Sequence, residues 1–256
     1  MTPTEQPQMT HEPTVAVAKS SIGLKELLVP ISIIIAGLFV GIGLYMSGGS
    51  ASPQLAVAPT PGAPVEAVDT TDKVNPVTDE DWIKGNPDAP VVIVEYSDYD
   101  CPFCSRFHTT MDEVVAESDG QVAWVYRHFP LEQLHPQAGA VALAAECVGA
   151  EAGTDAFWQF TDSYFAARGA GDATPHSELI PRLVTAAGVA EVPFTNCFEG
   201  GAPGSKIQAQ STNAIETGGR GTPWSIVIGP DGKTYPINGA QTKQAVQQII
   251  NVALGS

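Results

Sequence analysis

The chain has 256 residues, of which 43% are hydrophobic, and its 12 Lys and Arg against 28 Asp and Glu leave a formal net charge of −16. Such acidity, without a basic run, removes the attraction on which nucleic-acid binding depends, so we expect no nucleic-acid partner. Four cysteines are too few for a disulfide scaffold that replaces a core, and the apolar content is enough for one substantial domain.

A run of uncharged residues at Leu27–Met46 is long enough to cross a bilayer as a helix. A cleavable secretory signal is the alternative, but its apolar part is only ~7–15 residues long. Lys19 and Lys25 precede the run, and neither Lys nor Arg occurs in the ~25 residues after it, so the positive-inside rule places the N-terminus in the cytoplasm. We therefore predict a single-pass protein of the cell membrane whose remaining residues are extracytoplasmic.

The composition divides the chain into four parts. Residues 1–26 have little apolar periodicity and are predicted to be a disordered cytoplasmic tail, followed by the transmembrane helix at 27–46. Residues 47–77 are rich in Pro, Ala, Ser and Gly, which is typical of a linker. Residues 78–256 are predicted to form one domain.

The domain begins with a β-branched run at Val91–Tyr96, which indicates a buried strand. A helix follows from Pro102 to about Glu117, and a second strand covers 122–129, so this part is a βαβ unit. An all-helical insertion is predicted over about 131–219, with helices near 138–148, 155–166, 177–187 and 205–217. Strands at 224–228 and 234–237 and a helix at 242–253 complete the order as ββα.

A Cys-x-x-Cys motif, Cys101-Pro102-Phe103-Cys104, lies at the start of the first predicted helix. Unpaired backbone N–H groups and the helix dipole stabilise a thiolate there, and they lower the pKa of such cysteines from ~8.5 to ~3.5–7.5. The motif beside a βαβ unit indicates redox chemistry. Two alternatives remain: a zinc site that includes His108, for which no further ligand pair is visible, and a purely structural disulfide.

The domain resembles the DsbA-like thiol–disulfide oxidoreductases of the thioredoxin fold. The resemblance covers roughly residues 78–256 and rests on phrases at 85–90, 95–98, 101–104, 127–131 and 221–223. It implies an α/β thioredoxin-like fold with a helical insertion. By the same likeness Cys101 attacks and Cys104 resolves, while Pro223 follows a cis peptide bond and Thr222 pairs with substrate backbone. From the sequence alone Pro223 is an ordinary loop proline.

Five further side chains are assigned roles from the sequence. Glu95, six residues before Cys101, is predicted to be a buried carboxyl with a raised pKa that relays a proton for Cys104; the alternative is a strand-end glutamate that reaches solvent. Phe103, Trp224 and the loop at Pro223 are predicted to form an apolar surface for unfolded substrates, although Trp224 could equally be core. For His108 and His128 we predict structural or surface roles.

Two cysteines lie outside the motif, at Cys147 and Cys197 in the helical insertion. In an extracytoplasmic domain we expect them to form a structural disulfide. Two buried free thiols are the alternative.

The sequence therefore predicts a membrane-anchored extracytoplasmic enzyme that introduces disulfides into exported proteins and needs no cofactor or metal. The resemblance implies reduced or misfolded exported proteins as substrates and a membrane quinone-coupled thiol oxidase as the recharging partner. We expect a monomer, since no dimerisation domain is visible. A His lies between the cysteines of the strongly oxidising archetype, whereas this chain has Pro102-Phe103, so a reductase or isomerase stays open. A non-catalytic chaperone is the alternative from another class.

Overall fold

A mixed five-stranded sheet is the centre of this computed structural model, which describes residues 73–255. The strands are β1 (Trp82–Gly85), β2 (Val91–Ser97), β3 (Val122–His128), β4 (Trp224–Ile228) and β5 (Thr234–Asn238). Their order is β1-β3-β2-β4-β5, in which only β2 and β3 are parallel. The predicted tail and transmembrane helix, and the predicted linker up to residue 72, lie outside the described residues. No helix within 73–255 is long and apolar enough to cross a membrane.

The predicted βαβ unit is confirmed. Helix α1 (Pro102–Ala116) connects β2 to β3, and the two strands pair in parallel from Val91 opposite Val122 to Ser97 opposite His128. Both strands are buried almost throughout because helices and neighbouring strands cover them, as is usual for parallel pairs. The carboxyl end of β2 therefore delivers the chain directly to the Cys-x-x-Cys motif.

The predicted helical insertion is also confirmed between β3 and β4. Its helices are α2 (Ala138–Ala152), α3 (Thr154–Gly169), α4 (His176–Ala186), α5 (Glu191–Gly200) and α6 (Gly204–Glu216). The sequence did not predict α5, because Val192, Pro193 and Asn196 lower its helix propensity. Helix α7 (Lys243–Leu254) follows β5 and completes the predicted ββα order.

Strand β1 was not predicted either. Its four residues are too short to show an alternating pattern, and it is a strand only because it pairs antiparallel with β3. The edge of the sheet is thus extended by a segment that precedes the βαβ unit.

The core lies on both faces of the sheet. Alternate residues of β2 contribute to the two sides: Ile93 packs with the cluster that contains Trp124 and the aromatic side chains of α3, whereas Val94 packs with Ile226 and Ala214. The aromatic side chains of α3 are Phe157, Trp158, Phe160, Tyr164 and Phe165. The helical insertion therefore shares one core with the sheet, which holds the motif in a rigid setting.

Residues 73–77 differ from the prediction, since they lie against the domain instead of extending the linker. The buried Arg127 guanidinium donates to the carbonyls of Asn75 and Pro76, each at 3.0 Å, and to the Asp81 carboxylate at 2.9 Å. A buried cation needs such acceptors, and these residues supply them. Val74 is also buried, at 8% exposure.

Candidate active site

The redox pair lies where β2 ends and α1 begins. Cys101 is the N-cap residue of α1, and its N–H donates to the carbonyl of Asp98 at 3.2 Å. Pro102 occupies the first helical turn, where no intrahelical N–H bond is lost. Cys104 follows within that turn, so its side chain lies next to Cys101. Cys101 is 5% exposed and Cys104 is fully buried, and both are free thiols.

The two thiols are electrostatically unequal. A hydrogen bond from the Cys104 thiol lowers the pKa of Cys101 to about 5, against the opposing effect of burial, and the N–H groups of Phe103 and Cys104 add to the lowering. Burial raises the pKa of Cys104 well above its usual value, and the neighbouring Cys101 raises it further. At neutral pH Cys101 is therefore the thiolate and Cys104 keeps its proton.

Glu95 is fully buried in β2 and does not reach solvent. Its Oε2 accepts a hydrogen bond from Trp124 Nε1 at 3.0 Å. Burial raises the pKa of Glu95 to about 8, and the charge of Glu95 in turn raises the pKa of Cys104. The alternative that Glu95 is a strand-end residue in contact with solvent is therefore wrong. At neutral pH its carboxyl is uncharged, and it lies near enough to the Cys104 thiol to influence it electrostatically.

The loop before β4 lies against the redox pair. The Thr222–Pro223 peptide bond is cis, and Pro223 is buried. The Thr222 carbonyl is 3.5 Å from the sulfur of Cys101. This places the backbone of Thr222 beside the attacking sulfur.

Of the two aromatic side chains in the predicted apolar surface, only one is exposed. Phe103 is 53% exposed, and the Arg106 guanidinium stacks over its ring at 4.8 Å. Trp224 is only 8% exposed, and its Nε1 donates to Thr217 Oγ1 at 3.1 Å. The structure thus corrects the prediction that Trp224 lies on the substrate surface. Trp224 belongs to the core, because its ring is buried and its N–H has a hydrogen-bond partner inside the protein.

A cavity of about 460 Å³ opens beside Cys101. Its lining residues are Tyr99, Asp100, Cys101, Pro102, Ser105, Arg106, Arg168 and Gly169. A larger groove, of about 750 Å³, runs along α6 and the loop after β3 and contains neither cysteine of the pair. The smaller cavity is therefore the one that could hold a substrate side chain neighbouring the substrate cysteine that reacts with Cys101.

The sequence did not single out the acidic side chains around the pair. Asp98 is 1% exposed and binds His135 at 3.0 Å, and Asp100 binds Tyr164 at 2.6 Å and His176 at 2.9 Å. The available signal was the position of both aspartates between a buried strand and the motif. Their histidine and tyrosine partners come from distant segments and carried no signal.

The alternative zinc site is not supported by the described residues. Among them, the one cluster of three metal-ligand side chains is His108, Asp112 and Asp162, which includes neither cysteine. Lys84 Nζ lies 2.7 Å from an oxygen of each carboxylate and offsets part of their negative charge.

His108 and His128 are buried and take structural positions. His108 Nε2 is 2.8 Å from Asp162 Oδ1, and His128 Nε2 is 2.9 Å from Glu146 Oε1. Their exposures of 3% and 0% rule out the surface alternative.

Cys147 and Cys197 are bonded to each other, with an S–S distance of 2.03 Å. The bond connects α2 to α5 within the helical insertion, so these two sulfurs are not free thiols.

Comparisons with known proteins place this geometry among known folds. Residues 77–251 match a family model described as thioredoxin. The structure resembles alpha-DsbA1 of Wolbachia pipientis (22% identity, TM-score 0.60, 72% of this chain and 96% of that one). It also resembles oxidised BdbD of Bacillus subtilis (22%, 0.57, 72% and 97%) and DsbA2 of Pseudomonas aeruginosa (26%, 0.51, 68% and 94%). These likenesses establish a DsbA-like thioredoxin fold.

The curated relatives are similar over a shorter stretch. The Na(+)/H(+) antiporter NhaA 1 of Mycobacterium sp. (strain KMS) is 47% identical over 90 residues, and that of Mycolicibacterium gilvum is 42% identical over 87 residues. The matches cover 35% and 34% of this chain but only 14% of each antiporter.

Proposed function

The chain belongs to the thioredoxin family. From this premise we propose that it is a protein thiol–disulfide oxidoreductase, a membrane-anchored oxidase that introduces disulfides into exported proteins through Cys101 and Cys104. The direction of electron flow is supported by the position of Cys101 at the N-terminus of α1, where the Cys104 thiol and the N–H groups of Phe103 and Cys104 lower its pKa to about 5. A stabilised thiolate favours the reduced pair, and this makes the disulfide form a stronger oxidant.

The proposed reaction begins with the pair oxidised. A substrate thiolate attacks the sulfur of Cys101, the Cys101–Cys104 bond breaks, and Cys104 leaves as a thiolate that takes up a proton. A second substrate thiolate then attacks the substrate sulfur of the mixed disulfide, and Cys101 leaves as a thiolate. Two electrons pass from the substrate to the enzyme. The low pKa of Cys101 favours this last step because a lower pKa makes a better leaving group.

Glu95 supplies the proton path in this scheme. It is uncharged at neutral pH because its pKa is about 8, so it can give a proton to the departing thiolate of Cys104 and recover it later. Its electrostatic influence on Cys104 supports this role.

Thr222 and Phe103 are proposed to hold the substrate. The Thr222 backbone beside the Cys101 sulfur is positioned to pair with an extended peptide, and the exposed ring of Phe103 offers an apolar contact. Such contacts suit unfolded chains, which expose backbone and apolar side chains together.

Anchoring and recharging complete the proposal. Residues 27–46 are proposed to hold the domain at the outer face of the cell membrane, with 1–26 in the cytoplasm and a linker between the span and the domain. The reduced pair would then pass its two electrons to a membrane quinone-coupled thiol oxidase, and the enzyme would act as a monomer on reduced exported proteins.

The redox equilibrium of the pair against glutathione tests the direction. A potential above about −180 mV supports a disulfide donor, and one below about −250 mV would instead make the protein a reductase. Cys147 and Cys197 are bonded to each other and stay outside the measurement.

Substitution of the pair tests the enzyme class. Cys101→Ser is expected to abolish oxidation of a reduced protein substrate, whereas Cys104→Ser is expected to accumulate mixed disulfides at Cys101. A chaperone would keep its ability to suppress aggregation in both variants and would show no turnover in the unmodified protein.

A further inference from the structure

Asp98 has a buried carboxylate side chain, and its backbone contacts both cysteines of the pair. Its carbonyl accepts from the N–H of Cys101 at 3.2 Å, and its own N–H lies 3.5 Å from the sulfur of Cys104. The side chain is 1% exposed. A negative charge at this position disfavours a second one on Cys101, because like charges in a poorly solvated setting repel.

The carboxylate of Asp98 is bound by three donors. Oδ1 accepts from the N–H of Asp100 at 2.8 Å, and Oδ2 accepts from the N–H of Leu131 at 2.7 Å and from Nδ1 of His135 at 3.0 Å. Of these three donors, His135 alone can carry a positive charge. The loop before α2 holds it in place, since the N–H of His135 donates to the Leu131 carbonyl at 2.9 Å.

The charge state of His135 depends on the negative groups near it. Burial lowers the pKa of His135, but the hydrogen bond and charge of Asp98 outweigh this, and the charges of Cys101 and Asp100 raise the pKa further, so that it lies above 6.5. Interaction between two titrating groups is reciprocal, so a protonated His135 stabilises the Cys101 thiolate in return.

We propose that protonated His135, held by Asp98, is the positive charge partner of the Cys101 thiolate and makes the redox pair more oxidising. It is a positioning residue that acts through space, and it compensates for the uncharged Pro102-Phe103 between the two cysteines. The inference rests on the proposed thiol–disulfide exchange.

The redox step shows where the charge acts. The Cys101–Cys104 disulfide takes up two electrons and one proton to give the Cys101 thiolate and the Cys104 thiol, while two glutathione thiolates form one disulfide. A positive charge near Cys101 stabilises the reduced side of this equilibrium. The disulfide side carries no thiolate and gains nothing.

Other titratable and charged groups also face this site and contribute to its pH dependence. Asp98 and Asp100 come from the loop between β2 and α1, and Cys104 comes from the first turn of α1. From α3 Tyr164 donates to Asp100 at 2.6 Å, and from α4 His176 binds Asp100 at 2.9 Å. Two cations, Arg106 of α1 and Arg168 of α3, line the same cavity as Cys101. The variants below change none of these groups.

The test uses the full-length chain in detergent and measures the equilibrium of the pair with glutathione at pH ~6 and at pH ~8.5, on either side of the range in which histidine side chains ordinarily lose their charge. The variants are His135→Gln, which keeps a donor for Asp98 without the charge, and His135→Lys, which keeps a charge. Lys233→Gln is the control, because it removes one positive charge from an exposed turn that is not part of the site.

At the lower pH we expect His135→Gln to reduce the equilibrium constant for reduction of the pair about 3- to 10-fold, which corresponds to a rise of up to about one unit in the pKa of Cys101. The difference from the unmodified protein should close at the higher pH. His135→Lys should recover part of the loss, and Lys233→Gln should match the unmodified protein.

Several outcomes would overturn the inference: no effect of His135→Gln at either pH, a loss in His135→Lys as large as in His135→Gln, or an equal loss in Lys233→Gln. Absence of any redox equilibrium in the unmodified protein would instead refute the proposed function. A second measurement uses the unmodified protein. The imidazole of His135, followed by NMR, should titrate at higher pH in the reduced protein than in the oxidised one, and equal titrations would contradict the proposal.

Discussion

Cys101 and Glu95 have pKa values displaced in opposite directions, although burial raises the pKa of both. At Cys101 the hydrogen bond from the Cys104 thiol and further donors outweigh burial and lower the pKa to about 5, whereas at Glu95 burial outweighs the hydrogen bonds and raises the pKa to about 8. At neutral pH the site thus holds a charged thiolate and an uncharged carboxyl. This pairing allows exchange at one sulfur and proton transfer near the other.

The buried Glu95 makes stability depend on pH. The unfolded carboxyl ionises near 4.5 and the folded one near 8, so between these values the folded protein binds the extra proton, and the free energy of unfolding falls as the pH rises. We expect Glu95→Gln, which cannot ionise, to be more stable than the unmodified protein by a few kcal/mol at pH ~8 and by much less at pH ~5. Urea unfolding at the two pH values checks this.

Glu151→Gln is the matched control, since Glu151 is exposed on α2 and should leave the pH dependence unchanged. A stability difference between Glu95→Gln and the unmodified protein that stays the same from pH ~5 to pH ~8 would show that the folded carboxyl ionises near its usual pKa. The same variant should slow disulfide exchange about 10-fold or more, because it lacks the proton donor for Cys104.

The thiolate of Cys101 depends on its neighbour. The thiol of Cys104 is the largest contribution to the lowered pKa of Cys101, so Cys104→Ala should raise that pKa above about 5. The ultraviolet absorbance of the thiolate during a pH titration measures the change. An unchanged midpoint in Cys104→Ala would assign the effect to the backbone N–H groups of α1 instead.

At the scale of elements, the helical insertion depends on a covalent link between α2 and α5. The Cys147–Cys197 bond closes a loop of 50 residues, for which the chain-entropy model gives up to about 4 kcal/mol of stabilisation. The double variant Cys147→Ala, Cys197→Ala should lose a large part of that in urea unfolding. Its glutathione equilibrium at Cys101 and Cys104 should stay unchanged, and a shifted equilibrium would mean that the insertion also tunes the redox pair.

At the scale of the whole molecule, the proposed anchor decides where the domain acts. Deletion of residues 27–46 should release the protein from the membrane fraction. The full-length chain should stay in the membrane after alkaline extraction, and its domain should be digested by protease added outside the cell. Retention of the deletion variant in the membrane, or protection of the full-length domain from external protease, would contradict the proposed topology.

The amino-acid sequence by itself determined most of the order of elements and the redox pair. Apolar and β-branched runs predict strands β2 to β5, and apolar periodicity predicts most helices, because burial on a face leaves a regular pattern. The Cys-x-x-Cys spacing at a helix start indicates its chemistry locally, and Glu95 within a run of valines and isoleucine is already marked as a buried carboxyl.

Only the tertiary structure decided the features that depend on distant partners. Strand β1 exists through its pairing with β3, and α5 overcomes its weak propensity through packing and the bond to Cys147. Whether Trp224 is exposed depended on Thr217 and on the core around it. His135 meets Asp98 across 37 positions of sequence, and such a contact leaves no trace in a local pattern because its geometry is set by the fold as a whole.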